Sequence, residues 1–375
     1  MRIALGIQKL RPVGGLEDNC LRIAAELERR GHEVTLFTSA RDDVPYRHVR
    51  LKPPTFSMTN HGRARAFARS FVAASRGRFD RTVAFQPAPG ADILFLADVL
   101  RNRTDAPLLK RLTPRFRSHA ALEEGCFGPQ ANTRIIGLAQ PQMRAFAERY
   151  PSSRERIAII PPTLPPSRRR ADLRGSETRL AARERLGLDP RSIVWLWLGL
   201  QPIVKGLDRV VEALARSPNA VLLVGGLTST DGKARKDFAR ATRLSIGERI
   251  RWLGYVSEDR YFDAVAAADL LAHPARVDVT GGVILEAIVN GLPVVATDVC
   301  GFAPHIALSG AGRVVPSPFD PETFVTALKA VGEEDGAALT ARGVAYGADP
   351  LLYSGIESAC DLIEAEEWPA SRDVL

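Results

Sequence analysis

The chain has 375 residues, 45% hydrophobic and 25% charged, a globular composition long enough for two domains. Its four cysteines, Cys20, Cys126, Cys300 and Cys360, form no Cys-x-x-Cys pair, which argues against a disulfide framework or a zinc site and for a reducing cytoplasm. No run of about 18 apolar residues occurs and the opening "MRIALGIQKL" is too short in its apolar part for a signal peptide, while a net charge of +8 favours anionic partners.

In chain order, "RIALGI" reads as a first strand and is followed by "RPVGGLEDNC", where Gly14 and Gly15 precede a helix beginning near Leu16. A glycine pair there either makes a structural turn or lets a ligand approach helix-terminal amides. The strands "EVTLFT", "RTVAFQ" and "DILFLA" come next. Between Arg101 and His119 the chain carries Arg101, Arg103, Lys110, Arg111, Arg115 and Arg117 against the single acid Asp105, a local charge of +5. Leu108, Leu112 and Phe116 fall at i, i+4, i+8 among these cations, with Leu109 beside them and Pro114 interrupting or bending the helix. Two readings fit: a helix lying on an anionic bilayer, or a solvated basic face whose leucines pack inward.

"TRIIGLA" and "RIAIIPP" complete the first half. "PPTLPPSRRR", residues 161 to 170, cannot continue a helix or a central strand, so the domain boundary is placed there: residues 1–165 and 166–350, with a final helix over about 352–366. The second half repeats the alternation with "SIVWLWLG", "AVLLVGG", "RIRWLG", "DLLAHPA" and "LPVVATD". The whole chain therefore reads as α/β, with two doubly wound parallel sheets facing a cleft between them.

Two strand ends in the second half carry candidate chemistry. Lys205 lies on the loop after "SIVWLWLG", where it can neutralise charge on a leaving diphosphate. After "DLLAHPA", the stretch "DVTGGVILEA" starts a helix at Gly281 or Gly282. The amides of Gly282, Val283 and Ile284 would point at an anion, with Glu286 one turn in and Asp278 on the loop offering oxygens to hydroxyls. Phosphate between two diols suits a nucleotide sugar; alternatively the two acids simply favour the helix terminus. His61 and His273 show no third metal ligand, and there is no Asp-x-Asp pair.

Taken together, Lys205, Gly281, Asp278 and Glu286 resemble the signature of the retaining GT-B glycosyltransferases: a lysine on an earlier loop, a helix-starting glycine, and Glu, seven residues, Glu. "GGLEDNCLRIAAELERRGHEVTLFTS", "NHGRARAFA", "RFRSHAALEEGCF", "KGLDRVVEALA" and "LPVVATDVCGFAPHI" extend the similarity, in order, to the transferases that add glucose to a heptose of the lipopolysaccharide core. The resemblance implies a GT-B fold, a UDP-sugar co-substrate, no cofactor and no metal, and a lipid-anchored glycan acceptor. It places Arg168, Lys205, Tyr255, Asp278, Gly281, Gly282, Val283 and Glu286 on the donor, with Gly14 and Gly15 closing over its phosphates. Asn19, Asn60, His61, Arg63 and Asp98 would face the acceptor, and Asp98, Lys205, Asp278 and Glu286 would be catalytic. Lys110, Arg111, Arg115, Phe116 and Arg117 would touch the anionic inner leaflet, making the protein cytoplasmic and peripheral on the inner membrane. Transfer would retain anomeric configuration by front-face attack.

The chain departs from that pattern where the first glutamate is Asp278, where Val204 stands in place of an arginine, and where Gln86 and Pro87 replace a polar pair near the acceptor. Other donors and acceptors stay open. A nicotinamide oxidoreductase would need a G-x-G-x-x-G fingerprint that no predicted strand precedes, and a nucleic-acid binder would need aromatic-rich basic strands.

Overall fold

The computed structural model describes residues 1–10, 14–39, 46–52, 59–102 and 106–369. They form two compact units, Met1–Thr163 with Tyr353–Leu375, and Leu164–Leu352.

The first unit is built on β1 (Arg2–Gly6), β2 (Glu33–Thr38), β3 (His48–Arg50), β4 (Arg81–Ala84), β5 (Ile93–Leu96), β6 (Arg134–Gly137) and β7 (Ile157–Ile159). They pair in the order β3-β2-β1-β4-β5-β6-β7, every pair parallel. The second is built on β8 (Ile193–Leu198), β9 (Ala220–Gly225), β10 (Ile250–Gly254), β11 (Leu270–His273), β12 (Val294–Thr297) and β13 (Gly312–Val315), in the order β10-β9-β8-β11-β12-β13. Both orders reverse beside their first strand, at β1/β4 and β8/β11, and ligands of such sheets bind outside the carboxyl ends at that reversal.

Near-continuous apolar runs make these strands because both faces are covered. In β8, Trp195 and Trp197 point into one core with Val210, Val211 and Leu214 of the helix Leu207–Ala215. The alternate residues Val194, Leu196 and Leu198 enter the opposite core with Ile284, Ala287 and Ile288 of the helix Gly282–Val289. In the first unit Ile3 and Leu5 pack on Ile23 and Leu27 of the helix Gly15–Arg29, while Ala4 lies with Phe37, Phe67 and Phe71 on the other face. The helix Gly355–Glu364 joins the first unit through Ile356, Ala359 and Ile363, and Arg30 binds Asp361 and Glu364 at its edge. No helix among the described residues is long and apolar enough to cross a membrane.

Two strands escape the sequence pattern. β3 is an exposed edge of three residues, and β13, "GRVV", exposes its two central residues.

Candidate active site

The loops after β8 and β11 lie side by side at the reversal point of the second sheet. They are tied together at several points. Arg276 donates its amide to Val204 O (2.8 Å) and its guanidinium to Ile203 O (2.7 Å), then closes a bidentate pair with Asp208 at 2.6 and 2.7 Å. Arg209 donates to Pro274 O at 3.0 Å. Gly206 allows this approach: its φ is +75°, and a Cβ would lie 2.0 Å from Pro274 O. The buried Trp197 indole donates to Lys205 O at 3.0 Å. The lysine's backbone is thereby fixed from two sides.

Its ammonium rests 2.7 Å from Asp278 Oδ2, and His273 Nε2 donates to the same oxygen at 2.8 Å. Asp278 Oδ1 accepts the Gly281 amide at 2.9 Å. Burial alone would raise this carboxyl, but His273 first and Lys205 next outweigh it and hold the pKa at about 2. Asp278 therefore acts as an anionic cap and counter-ion, with its hydrogen-bonding capacity largely engaged by the protein. Cys300 lies beside it, its thiol pushed up to about 12 by burial and then by the Asp278 charge. The absence of a third ligand near His273 in the sequence is corrected by the fold: one ligand atom each from His273, Asp278 and Cys300 fall within 4.8 Å of one another.

Gly281, at φ +77°, turns the chain into the helix Gly282–Val289. Of the amides expected to be open, that of Ile284 donates to Gly281 O (2.8 Å), as in an ordinary tight helix start. The Gly282 and Val283 amides have no partner among the described residues, and a Cβ on Gly282 would meet nothing within 4 Å. The first turn holds no acid of its own, so Asp278, on the loop just before it, is the carboxylate nearest the dipole's positive end, and the two amides stay open to a further anion. Glu286 comes one turn later, half-buried beside Tyr261, whose fully buried phenol is held well above its usual pKa, first by burial and next by the Glu286 charge. The Arg168 guanidinium lies 5.0 Å over the Tyr261 ring, so Arg168 and Glu286 flank one aromatic side chain. Tyr255 is 67% exposed just beyond β10, two strands from Lys205. Thus Lys205, Asp278, Gly281, Gly282 and Val283 gather at one end of one sheet, with Glu286 one helical turn further on and Arg168 over the Tyr261 ring beside it. Tyr261, Asp208, Arg276 and Cys300 were missed; only contacts made far along the chain single them out.

In the first unit Gly14, extended at φ 175°, caps a helix that starts at Gly15, one residue before the expected Leu16. Its first turn carries Glu17 and Asp18, which makes this terminus less welcoming to an anion than the one at Gly282. Asn19 is buried within that helix. Asn60 begins the helix Asn60–Ser75 and is exposed, as is Arg63; His61 is half-buried. Asp98, after β5, receives Arg101 in a bidentate pair, Nε to Oδ2 at 3.0 Å and Nη2 to Oδ1 at 2.9 Å. His119, unmarked by any motif, sits among Arg101, Asp98, Arg115 and His61; burial, then Arg101, lowers its pKa. Buried Glu123 accepts the Arg101 and Asn102 amides at 2.8 and 2.9 Å, and burial raises its carboxyl to about 7.

The basic segment is two helices, Leu108–Arg111 and Pro114–Phe127, with Pro114 starting the second and Thr113 capping it. The inward-packed reading of its leucines is overturned: Leu108, Leu109 and Leu112 are 75%, 83% and 70% exposed beside Lys110 and Arg111. Four residues on one short turn cannot bury an apolar face without a partner. Arg103 and Asp105 lie outside the described residues.

Residues 179–342 match the model of the group 1 glycosyl transferases. The Escherichia coli lipopolysaccharide glucosyltransferase WaaG is 34% identical over 97% of this chain and 98% of its own length. The chain belongs to the group 1 glycosyl transferases. A D-inositol 3-phosphate glycosyltransferase of Nocardia farcinica is 30% identical over 80% of this chain and 73% of its own. In structure, a WaaG described as involved in lipopolysaccharide biosynthesis superposes with a TM-score of 0.87 at 32% identity, covering 96% of this chain and 99% of that one. Anabaena HepE in complex with UDP-glucose superposes at 0.72 with 18% identity over 96% and 98%, a likeness of fold. The protein is therefore a glycosyltransferase of GT-B type, and the residues around β8 and β11 fall within the segment that the family model matches.

Proposed function

We propose that this enzyme moves a hexose, glucose first among the candidates, from a UDP-sugar to a heptose of the lipopolysaccharide core or a similar lipid-anchored glycan. The donor and acceptor are those suggested by the name of its WaaG relative. The observation that carries the donor side is the pairing of Lys205 with Asp278 at 2.7 Å next to the open amides of Gly282 and Val283. A cation and a helix terminus converging at the sheet's reversal point form a seat for a diphosphate. Glu286 would take the ribose and Asp278 would hold Lys205 and the sugar side of the turn; Arg168 and Tyr255 complete the donor side. Gly14 and Gly15 would approach the phosphates, while Asn60, His61, Arg63 and Asp98 would serve the acceptor.

In the reaction, an acceptor hydroxyl attacks the anomeric carbon from the side of the departing UDP. The carbon–oxygen bond to the β-phosphate breaks, and the released phosphate oxygen takes the hydroxyl proton, so configuration is retained. Lys205 and the two amides stabilise the charge that gathers on the diphosphate. In this reading no metal is required, and turnover persists in EDTA. The exposed leucines and cations of residues 108–117 would rest on the anionic inner leaflet, placing the enzyme peripherally on the cytoplasmic face.

A hydrolysis screen of purified protein with UDP-glucose, UDP-galactose, UDP-N-acetylglucosamine and GDP-mannose tests the donor. UDP-glucose is expected to be cleaved fastest. Preference for GDP-mannose would replace the donor assignment, and nicotinamide binding without any hydrolysis would favour an oxidoreductase.

A further inference from the structure

Between the units the chain runs through Pro161, Pro162, Pro165 and Pro166, residues that have no amide hydrogen with which to anchor a backbone. The arginine-rich segment beyond these prolines is nonetheless held firmly. Asn290, fully buried at the end of the helix Gly282–Val289, donates through Nδ2 to Arg168 O (2.7 Å) and to Glu286 O (2.7 Å). Its Oδ1 accepts the Arg170 amide at 2.8 Å. Both donors and the acceptor of one amide side chain thus join residues 168–170 to the last turn of the helix that bears Glu286. Two arginines are aimed by this clasp: Arg168 lies 5.0 Å over Tyr261, and Arg170 lies 3.6 Å over Phe262.

We infer that Asn290 is a positioning residue for nucleoside diphosphate binding, setting the Arg168 guanidinium beside Tyr261 and Glu286 where it meets the anionic donor. The inference rests on the donor-site reading above and extends it to a residue that touches no ligand. An apolar side chain at position 290 would fill the space but leave the Arg168 and Glu286 carbonyls without a donor and let the arginine's backbone shift. A guanidinium displaced by about 1 Å loses directional contact with a phosphate.

The test is calorimetric titration with UDP of the unmodified protein, Asn290→Ala, Arg168→Ala and the double variant, with Tm measured alongside. Asn290→Ala is expected to weaken UDP binding about tenfold, Arg168→Ala by a similar factor, and the double variant no more than Arg168→Ala alone, since residues acting as a unit are not additive. If Asn290→Ala does not fold, Asn290→Ser, which keeps one donor, carries the same comparison. UDP affinity unchanged in a folded Asn290 variant, or losses that multiply in the double variant, would reduce Asn290 to a structural clasp and overturn the inference alone. An unmodified protein that does not bind UDP would bring down the donor-site reading and this inference with it.

Discussion

Replacing Lys205 by alanine separates a catalytic charge from a structural ion pair. The ammonium lies 2.7 Å from Asp278 Oδ2, with the lysine side chain 24% and the aspartate 10% exposed. At that distance and an effective dielectric of 20 the bare attraction is about 6 kcal/mol, an upper bound on what the pair contributes. Asp278 keeps its hydrogen bonds from His273 and the Gly281 amide, so its charge is not orphaned. The stability loss should be about 1 to 2 kcal/mol, well short of the 3 to 5 expected when a buried charge loses every partner. The rate loss should be larger, about 10²-fold to 10³-fold, because the charge forming on the departing diphosphate has lost its cation. Sugar release from UDP-glucose, with and without acceptor, is measured beside Tm for Lys205→Ala and Lys205→Met, the latter retaining the stem. Turnover within threefold of the unmodified enzyme in a folded Lys205→Met would refute the assignment of the leaving-group charge to this lysine.

Gly206→Ala places a Cβ 2.0 Å from Pro274 O at a φ of +75° and must push the two loops apart; activity should fall at least tenfold and Tm should drop, which thermal melts and turnover will check. Changing Leu108, Leu109 and Leu112 together to serine should leave Tm unchanged, since all three are exposed, while weakening binding to anionic vesicles at least tenfold; equal vesicle binding in a flotation assay would exclude this segment as the membrane contact. Asp278, held at about 2 in the fold, contributes stability that is present above about pH 4 and lost as pH falls toward 2, on the order of 2 kcal/mol. Glu123 has the opposite sign: raised to about 7, its contribution is full below about 4.5 and lost as pH rises through 7. The Tm of the unmodified protein relative to Glu123→Gln should therefore decline across that window, and a flat difference would show that the carboxyl titrates normally.

The architecture was legible because β8, β9, β11 and β12 are buried on both faces and so spell near-continuous apolar runs, and because Gly281 marks the turn into its helix. β3 was not, since an exposed edge of three residues has no buried face to impose a pattern. Within the candidate site, Lys205, Asp278 and Glu286 were visible as chemistry at strand ends. The groups that hold them were not. Arg276 meets Asp208 across 68 residues of sequence, and Asn290 meets Arg168 across 122. Neither separation leaves a local signal. The exposed leucines show the same limit: their spacing is the same whether they face a core or water, and only the short helix Leu108–Arg111 decides it.

The proposed function requires that the carboxyl ends of β8 and β11 seat a uridine diphosphate. A crystal structure of the protein soaked with UDP tests it most directly. The β-phosphate is expected within hydrogen-bonding reach of Lys205 Nζ and of the Gly282 and Val283 amides, with the ribose hydroxyls on Glu286. A diphosphate bound elsewhere, with those four groups left untouched, would contradict it.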